Sequence, residues 1–294
     1  MEPLFTFGDL VLDVVATVEG GLDRDTDTPG EVRSAPGGSA ANFAVWTARL
    51  GDPVRFAGRV GDDLLGRALA DDMRREGVEA HIALDPVHPT AVLVLFSDGS
   101  QRHMMVPRGA NHHLDAEDLP AELIRSAGWL HVTGYSFFWE GPRRAAAKAM
   151  AIAREAGVPI SLDPASAGFI RRYGLPHLDR LKLLLPNREE AVAMTGLSDL
   201  SAAALRLGEQ AELVAVKLGP EGALLALGGK LIPVAPARPD GPVVDATGAG
   251  DAWGAAFIHG LRTGLEPVEA ARRANRLGAR LVTRIGARPL VPLD

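Results

Sequence analysis

Near the carboxyl end of this 294-residue chain, the run Val244-Asp245-Ala246-Thr247-Gly248-Ala249-Gly250-Asp251 leads into an alanine-rich helical stretch. Two glycines and an alanine at a helix start leave the free backbone N–H groups of the first turn unscreened, and the helix dipole adds partial positive charge there. Such a turn can hold an anion. A carboxylate in the same turn, Asp251, would repel the anion unless it had a separate task, and taking a proton from an attacking hydroxyl is such a task. A glycine pair is also what a tight turn needs, with Asp251 then an ordinary helix-start residue. Two other phosphate motifs do not fit the letters. A dinucleotide fingerprint needs a small residue where Trp253 stands and a place after the first strand, and the Gly-Lys-Ser/Thr of a Walker loop is absent from the chain.

Further polar residues stand at the ends of apolar runs. Asp13 closes Gly8-Asp9-Leu10-Val11-Leu12-Asp13, and a carboxylate there can accept from two vicinal hydroxyls or simply end a strand. Gly38 and Asn42 open the helical stretch 39–50. Asn187 and Glu190, at i,i+3 spacing, share one helix face after Pro186. Lys217 sits at a strand end before Leu218-Gly219-Pro220-Glu221-Gly222, where it could reach a phosphate or merely solvent. Asn275 stands in mid-helix, a mildly unfavourable place for asparagine.

The elements that must position these residues follow from periodicity. From Trp129 onward short apolar runs at 129–133, 158–163, 180–185 and 212–217 alternate with helical stretches, the pattern of βαβ units and a parallel sheet. A hairpin is expected at 222–227 and 230–235, and helices at 249–263 and 267–284. The amino-terminal part predicts strands at 4–12 and 54–60 and helices at 39–50 and 63–76. The segments 79–84, 90–97 and 101–106 lack helical spacing and are separated by turn residues, so together with 13–18 and 32–35 they are expected to form a small antiparallel sheet beside the main body.

Composition bounds the class. A hydrophobic fraction of 47% with 23% charged residues excludes disorder and coiled coil, and a net charge of −6 without a dense Lys/Arg run leaves no electrostatic footprint for nucleic acid or a membrane surface. The absence of Cys excludes disulfides, thiolate metal sites and a Cys nucleophile. The eight His residues lack metal-ligand spacing, and His112-His113, beside the Arg108-Gly109-Ala110-Asn111 loop, suit a solvated or substrate-covering feature. The amino terminus carries Asp9 and Asp13 within its apolar run, so it reads as a first core strand of a cytoplasmic protein and not as a leader or a membrane span.

The run ending in Asp251, together with Gly37-Gly38-Ser39-Ala40-Ala41-Asn42-Phe43-Ala44 some two hundred residues earlier, resembles the two signatures of the ribokinase-like, or PfkB, carbohydrate kinases. The resemblance extends over essentially the whole chain. It implies a single α/β domain over 1–294, a three-layer sandwich with a mostly parallel central sheet and a small antiparallel β lid from segments near 13–35 and 79–110. It further implies ATP-dependent phosphorylation of a hydroxymethyl group on a sugar or nucleoside, with Asp251 as base and the amides of Gly248, Ala249 and Gly250 as anion hole. By the same resemblance Asp13, Gly38 and Asn42 would bind substrate, while Asn187, Lys217, Gly219, Gly222 and Asn275 would bind the nucleotide. Glu190 would act on Mg2+ through water, and Asp245 and Thr247, with Gly286, would hold a monovalent cation such as K+.

Ser39 replaces the Lys usual in ribokinases, which disfavours ribose, and Asp163-Pro164-Ala165 is a variant of another ribokinase run. The absence of an Asp-x-Asn-x-Arg pattern disfavours acidic sugars. Phe137, Phe138 and Trp139 keep a nucleoside kinase in play, and a sugar-binding regulatory protein without chemistry is the alternative of a different class. A small sheet that cannot bury both its faces points to a homodimer in which two lids meet.

Overall fold

The computed structural model describes residues 1–18, 21–97, 102–106, 109–176, 178 and 180–292. In chain order the elements begin with strands β1 (Leu4–Phe7), β2 (Val11–Val18) and β3 (Gly30–Gly37), helix α1 (Ser39–Arg49), strand β4 (Val54–Gly61) and helix α2 (Leu64–Arg75). Strands β5 (Glu79–Asp85), β6 (Val92–Ser97) and β7 (Arg102–Met105) follow, then α3 (Ala121–Arg125), β8 (Trp129–Thr133), α4 (Glu140–Glu155), β9 (Ile160–Asp163) and α5 (Ala167–Tyr173). The carboxyl third holds β10 (Leu181–Leu184), α6 (Arg188–Thr195), α7 (Leu200–Leu207), β11 (Ala211–Lys217), β12 (Ala223–Leu227), β13 (Lys230–Val234), α8 (Ala249–Arg262) and α9 (Pro267–Leu281).

Among the described residues, nine strands form one sheet in the order β13-β12-β11-β10-β9-β8-β1-β4-β5, parallel except for the β11-β12-β13 pairings. Because successive strand residues point to opposite faces, each central strand feeds two cores. Leu183 and Leu185 join Phe43, Trp46 and Phe257 on one face, whereas Leu184 joins Phe5, Leu130 and Met150 on the other. Helices therefore cover both faces, which is the expected three-layer α/β sandwich.

The strand anticipated over 4–12 is broken in two. At Gly8 the backbone takes φ +141°, a conformation that side-chain-bearing residues rarely adopt, and the chain leaves the large sheet to enter the second one as β2. That second sheet runs β3-β2-β6-β7. Its β2–β3 and β6–β7 pairings are antiparallel, but β2–β6 is parallel, because β4, α2 and β5 lie between them in the chain.

The expectation that 79–84 belongs to the small sheet is corrected. β5 pairs in parallel with β4, from Arg55 opposite Glu79 to Gly61 opposite Asp85, and forms the edge of the large sheet. β4, α2 and β5 make a βαβ unit, and nothing in the alternation of a half-buried strand says which sheet it will join. Of the segments assigned to the lid, the turn 98–100 and Arg108 lie outside the described residues.

Asp63 fastens the βαβ unit to the small sheet. Its carboxylate accepts from Gly66 N at 2.7 Å as the N-cap of α2, and from Thr90 Oγ1 at 2.7 Å and Thr90 N at 2.8 Å on the approach to β6. Asp63→Ala should therefore lose more than a simple cap, about 2–3 kcal/mol in a urea melt, with Asp63→Asn losing less. A loss of under about 0.5 kcal/mol would show that Thr90 is held by other contacts.

Candidate active site

The two glycine-containing helix starts meet. Gly248 is the N-cap of α8 in the left-handed region, φ +72°, and a Cβ there would fall 2.6 Å from the Cβ of Ala287. Gly38 caps α1 at φ +99°, where a Cβ would fall 2.2 Å from the Asp9 carbonyl oxygen. Both positions need glycine because backbone or loop atoms pass where a side chain would begin. Asp251, in the first turn of α8, accepts from Ser39 Oγ at 2.7 Å and from Asn42 Nδ2 at 3.1 Å, so the start of α1 holds the carboxylate of α8 across more than two hundred residues.

Burial pushes the Asp251 carboxyl up to about 7, with Asp163 adding to the rise and the Ser39 and Asn42 hydrogen bonds and Lys217 opposing it. Asp13 stands across the site on β2, pushed up to about 6 by burial and restrained by the charge of Arg288. Its carboxylate lies over Gly37, where any Cβ would fall 2.0 Å from Oδ2. Asp13, Gly38, Asn42, Gly248 and Asp251 line one cavity of about 220 Å3. The same cavity takes in Thr247, the Asp9–Asn111 pair joined at 2.9 Å, and a wall of Tyr135, Trp139, Phe169 and His112. His112 stacks on Trp139 with ring centres 4.2 Å apart. Phe137 instead goes into the core, and Phe138 packs on Phe169.

A second cluster lies behind the glycine-bearing turn before α8. Lys217, at the end of β11, pairs with Asp163 at the end of β9, and a Cβ on Gly250 would sit 3.5 Å from its Nζ. The ammonium is therefore beside the first turn of α8. Asn187 and Glu190 form a reciprocal cap on α6: Glu190 N donates to Asn187 Oδ1 at 2.8 Å, while Asn187 N and Nδ2 donate to Glu190 at 2.8 and 2.7 Å. Glu190 is buried, and burial raises its carboxyl against the pull of Lys217. Gly219 and Gly222 both lie at positive φ in the loop after β11, and a Cβ on Gly222 would fall 2.2 Å from Val234 O.

Three expected residues are tied into local structure. Asn275 accepts from Trp253 Nε1 at 2.8 Å and donates to Ala235 O at 2.8 Å, joining α8 and α9 to the segment after β13. That bond accounts for the large residue at 253. Asp245 accepts from Thr247 N, Thr247 Oγ1 and Gly286 N at 2.9, 2.6 and 2.8 Å, so it shapes the turn before the anion site. Of the amides expected to form an anion hole, that of Ala249 donates to Ala246 O at 3.2 Å. Among the described residues no three of His, Asp and Glu are placed to hold a metal directly, and no helix is long and apolar enough to cross a membrane.

As a whole the chain is also similar to known proteins. The model of the pfkB family carbohydrate kinases matches residues 1–293. The chain belongs to that family. It is an ATP-dependent carbohydrate kinase with the ribokinase-like fold. The fructokinase of Escherichia coli is 32% identical, over 98% of this chain and 96% of its own. The adenosine kinase of Sinorhizobium meliloti superposes with a TM-score of 0.88 at 26% identity, covering 99% of this chain and 97% of its own. A ribokinase II-type protein of E. coli, solved with ATP and Mg2+, gives 0.86 at 25% identity over 98% and 94%.

Sequence reasoning missed Arg288, which donates to Asn42 Oδ1 at 2.7 Å, and left Ser39 and Asp163 without roles. Ser39 and Asp163 stood in motif positions and could have been found there. Arg288 had no local signal, being an arginine in a terminal loop.

The raised Asp251 carboxyl makes a stability prediction. The native state holds this proton more tightly than the unfolded chain, so the cost of ionising Asp251 is absent below the ordinary carboxylate pKa near 4, grows above it and is complete above about 7. Asp251→Asn should raise Tm by several degrees at pH 8 and by little at pH 4.5. An equal change at both values would mean the carboxylate is not carrying a buried charge.

Proposed function

We propose that the chain phosphorylates a hydroxymethyl group of a sugar from ATP, with fructose the first substrate to test. Asp251, fixed by Ser39 and Asn42 at the mouth of the amide-lined turn, carries this reading. The acceptor hydroxyl donates its proton to Asp251 as its oxygen forms a bond to the γ-phosphorus and the bond to the bridging oxygen of ADP breaks. A base pushed up to about 7 is matched to proton transfer near neutral pH. The first-turn amides of Gly248 and Gly250 and the Lys217 ammonium receive the charge on the transferred group, while the Ala249 amide is held by Ala246 O. Asp13 accepts from sugar hydroxyls, with Gly38 and Asn42 beside it, and Gly219, Gly222 and Asn187 border the nucleotide. Asn275 keeps one amide hydrogen beyond its bonds to Trp253 and Ala235, enough for a contact to adenine.

Mg2+ bound through water near Glu190 would neutralise the phosphate charges, a manner that suits a single buried carboxylate rather than a ligand cage. K+ near Asp245 and Thr247 would sit against carbonyls of the same turn. The small sheet acts as a lid on a single kinase domain in the cytoplasm. Its exposed Val32 and Met105 favour a homodimer through the lids, which light scattering at micromolar protein would reveal.

A nucleoside kinase is the second reading, favoured by the aromatic wall of Tyr135, Trp139 and Phe169, on which a base could stack. ADP release across fructose, other hexoses, ribose, adenosine and other nucleosides separates the two. Fructose should give the highest kcat/KM, and Trp139→Ala should then change it by less than about tenfold. A nucleoside as best substrate, with a loss of about 100-fold in the same variant, would establish the second reading instead.

Asp251→Asn should lower turnover by about 10²- to 10⁴-fold with much smaller changes in sugar and ATP affinity. In the wild type, kcat/KM should fall as pH drops below about 7, because the protonated carboxyl cannot accept the hydroxyl proton. Retention of more than about a tenth of the turnover when chemistry is limiting would remove Asp251 from the role of base. Sugar binding without turnover on any member of the panel would point to a regulatory sugar-binding protein.

A further inference from the structure

We propose that Arg288, on the loop after α9, is a positioning residue that fixes the orientation of the Asn42 amide and through it the presentation of Asp251. The Arg288 side chain is 7% exposed, and its guanidinium donates to oxygen acceptors on three residues. Nε donates to Asn42 Oδ1 at 2.7 Å, one Nη donates to Asp72 Oδ2 at 3.1 Å on α2, and the other donates to Gly37 O at 3.4 Å at the end of β3. A primary amide can turn either its oxygen or its nitrogen to a neighbour. With Arg288 on the oxygen, the nitrogen must face Asp251, which it meets at 3.1 Å. The flipped amide would set N–H against N–H at Arg288 and oxygen against oxygen at Asp251, so both contacts would turn repulsive together.

The loop is itself held against α1. Trp46 Nε1 donates to Ala287 O at 2.9 Å, and Arg49 donates to Arg288 O at 2.9 Å and Pro289 O at 3.1 Å. The same loop packs on Gly248, so one segment braces the starts of both helices that make the site. A lysine could not serve the three acceptors at once, since its single ammonium lacks the planar fork. The Arg288 charge also lies near Asp13, where it counters the effect of burial on that carboxyl. Asp251 has other charged or titratable neighbours in Lys217 on β11, Asp163 on β9 and Tyr135 after β8, and these stay in place when Arg288 is changed.

The inference rests on Asp251 being the base, and the test keeps the two apart. Arg288→Met and Asn42→Ala would be made singly and together, with kcat and KM for sugar and for ATP followed across pH and each fold checked by a thermal melt. Arg288→Met should lower kcat/KM for sugar by about 10- to 100-fold and leave the KM for ATP within about threefold. It should also move the acidic limb of the profile to higher pH, because a fixed N–H donor to the carboxylate is lost. The double variant should be no worse than Asn42→Ala alone, since the two residues act in series. Full addition of the two losses, or an acidic limb that stays in place while only Tm falls, would overturn the proposal. If Arg288→Met does not fold, Arg288→Lys serves: a folded Lys variant with wild-type kcat/KM and pH profile sinks the idea, and an intermediate loss with a shifted limb supports it. Turnover surviving in Asp251→Asn would instead remove the base itself, whereas an inactive Asp251→Asn without coupling between Arg288 and Asn42 removes the clamp alone.

Discussion

A carboxylate partly withdrawn from water at the first turn of one helix, and answered by donors from the first turn of another, is the constraint around which this kinase is arranged. Desolvation disfavours the charge on Asp251, and among the described residues Ser39 and Asn42 supply the hydrogen bonds to it. Those donors exist only if α1 and α8, at opposite ends of the chain, pack with their starts together. That packing in turn requires residues without side chains at Gly38 and Gly248, where backbone and loop atoms approach within 2.2 and 2.6 Å of the missing Cβ positions. The result is a carboxyl group raised to about 7 by burial although it lies beside a positive helix end, which by itself favours the ionised form.

The parallel sheet brings the rest of the polar groups to the same side. Strands β9 and β11 both end at the edge where the starts of α1 and α8 lie, so Asp163 and Lys217 meet there although 54 residues separate them. Ligands of open α/β sheets gather at that carboxyl edge for this reason. The pairing also keeps Lys217 charged in a buried place, where desolvation alone would lower its pKa, because Asp163 and Glu190 raise it. A positive charge is thus preserved behind the glycine-bearing turn without the dense basic run that a nucleic-acid surface would need.

The small sheet is built by detaching chain from the large one. At Gly8 the first strand breaks, and the next eight-residue strand carries Asp13 over the cavity while pairing with β3 and β6. Asp13 and Asp251 therefore face one cavity from the small sheet and from helix α8. The aromatic wall comes from a third place, the segments after β8 and β9, so the cavity has parts that can vary independently of the glycine-bearing turn before α8.

Much of this was written in the residues. Apolar runs alternating with helical stretches determined the parallel sheet from β8 to β11, because that pattern has few other compact solutions. The glycine-bearing helix starts marked Asp251 and the region around Asn42, since their meaning is local: a first turn without side chains exposes its own N–H groups wherever it lies. What tertiary structure alone decided was partnership over distance. β5 has an alternation that suits either sheet, and only its βαβ connection to β4 placed it at the edge of the large one. Asn275 was legible as an unusual helical residue, but that its amide ties Trp253 to Ala235 depends on how α8 and α9 pack. Arg288 is the extreme case, for a lone arginine in a terminal loop carries no periodicity or motif, and its contact with Asn42 spans 246 residues. Side-chain hydrogen bonds of that reach are short-range interactions, so they become visible only when the fold has brought their ends together.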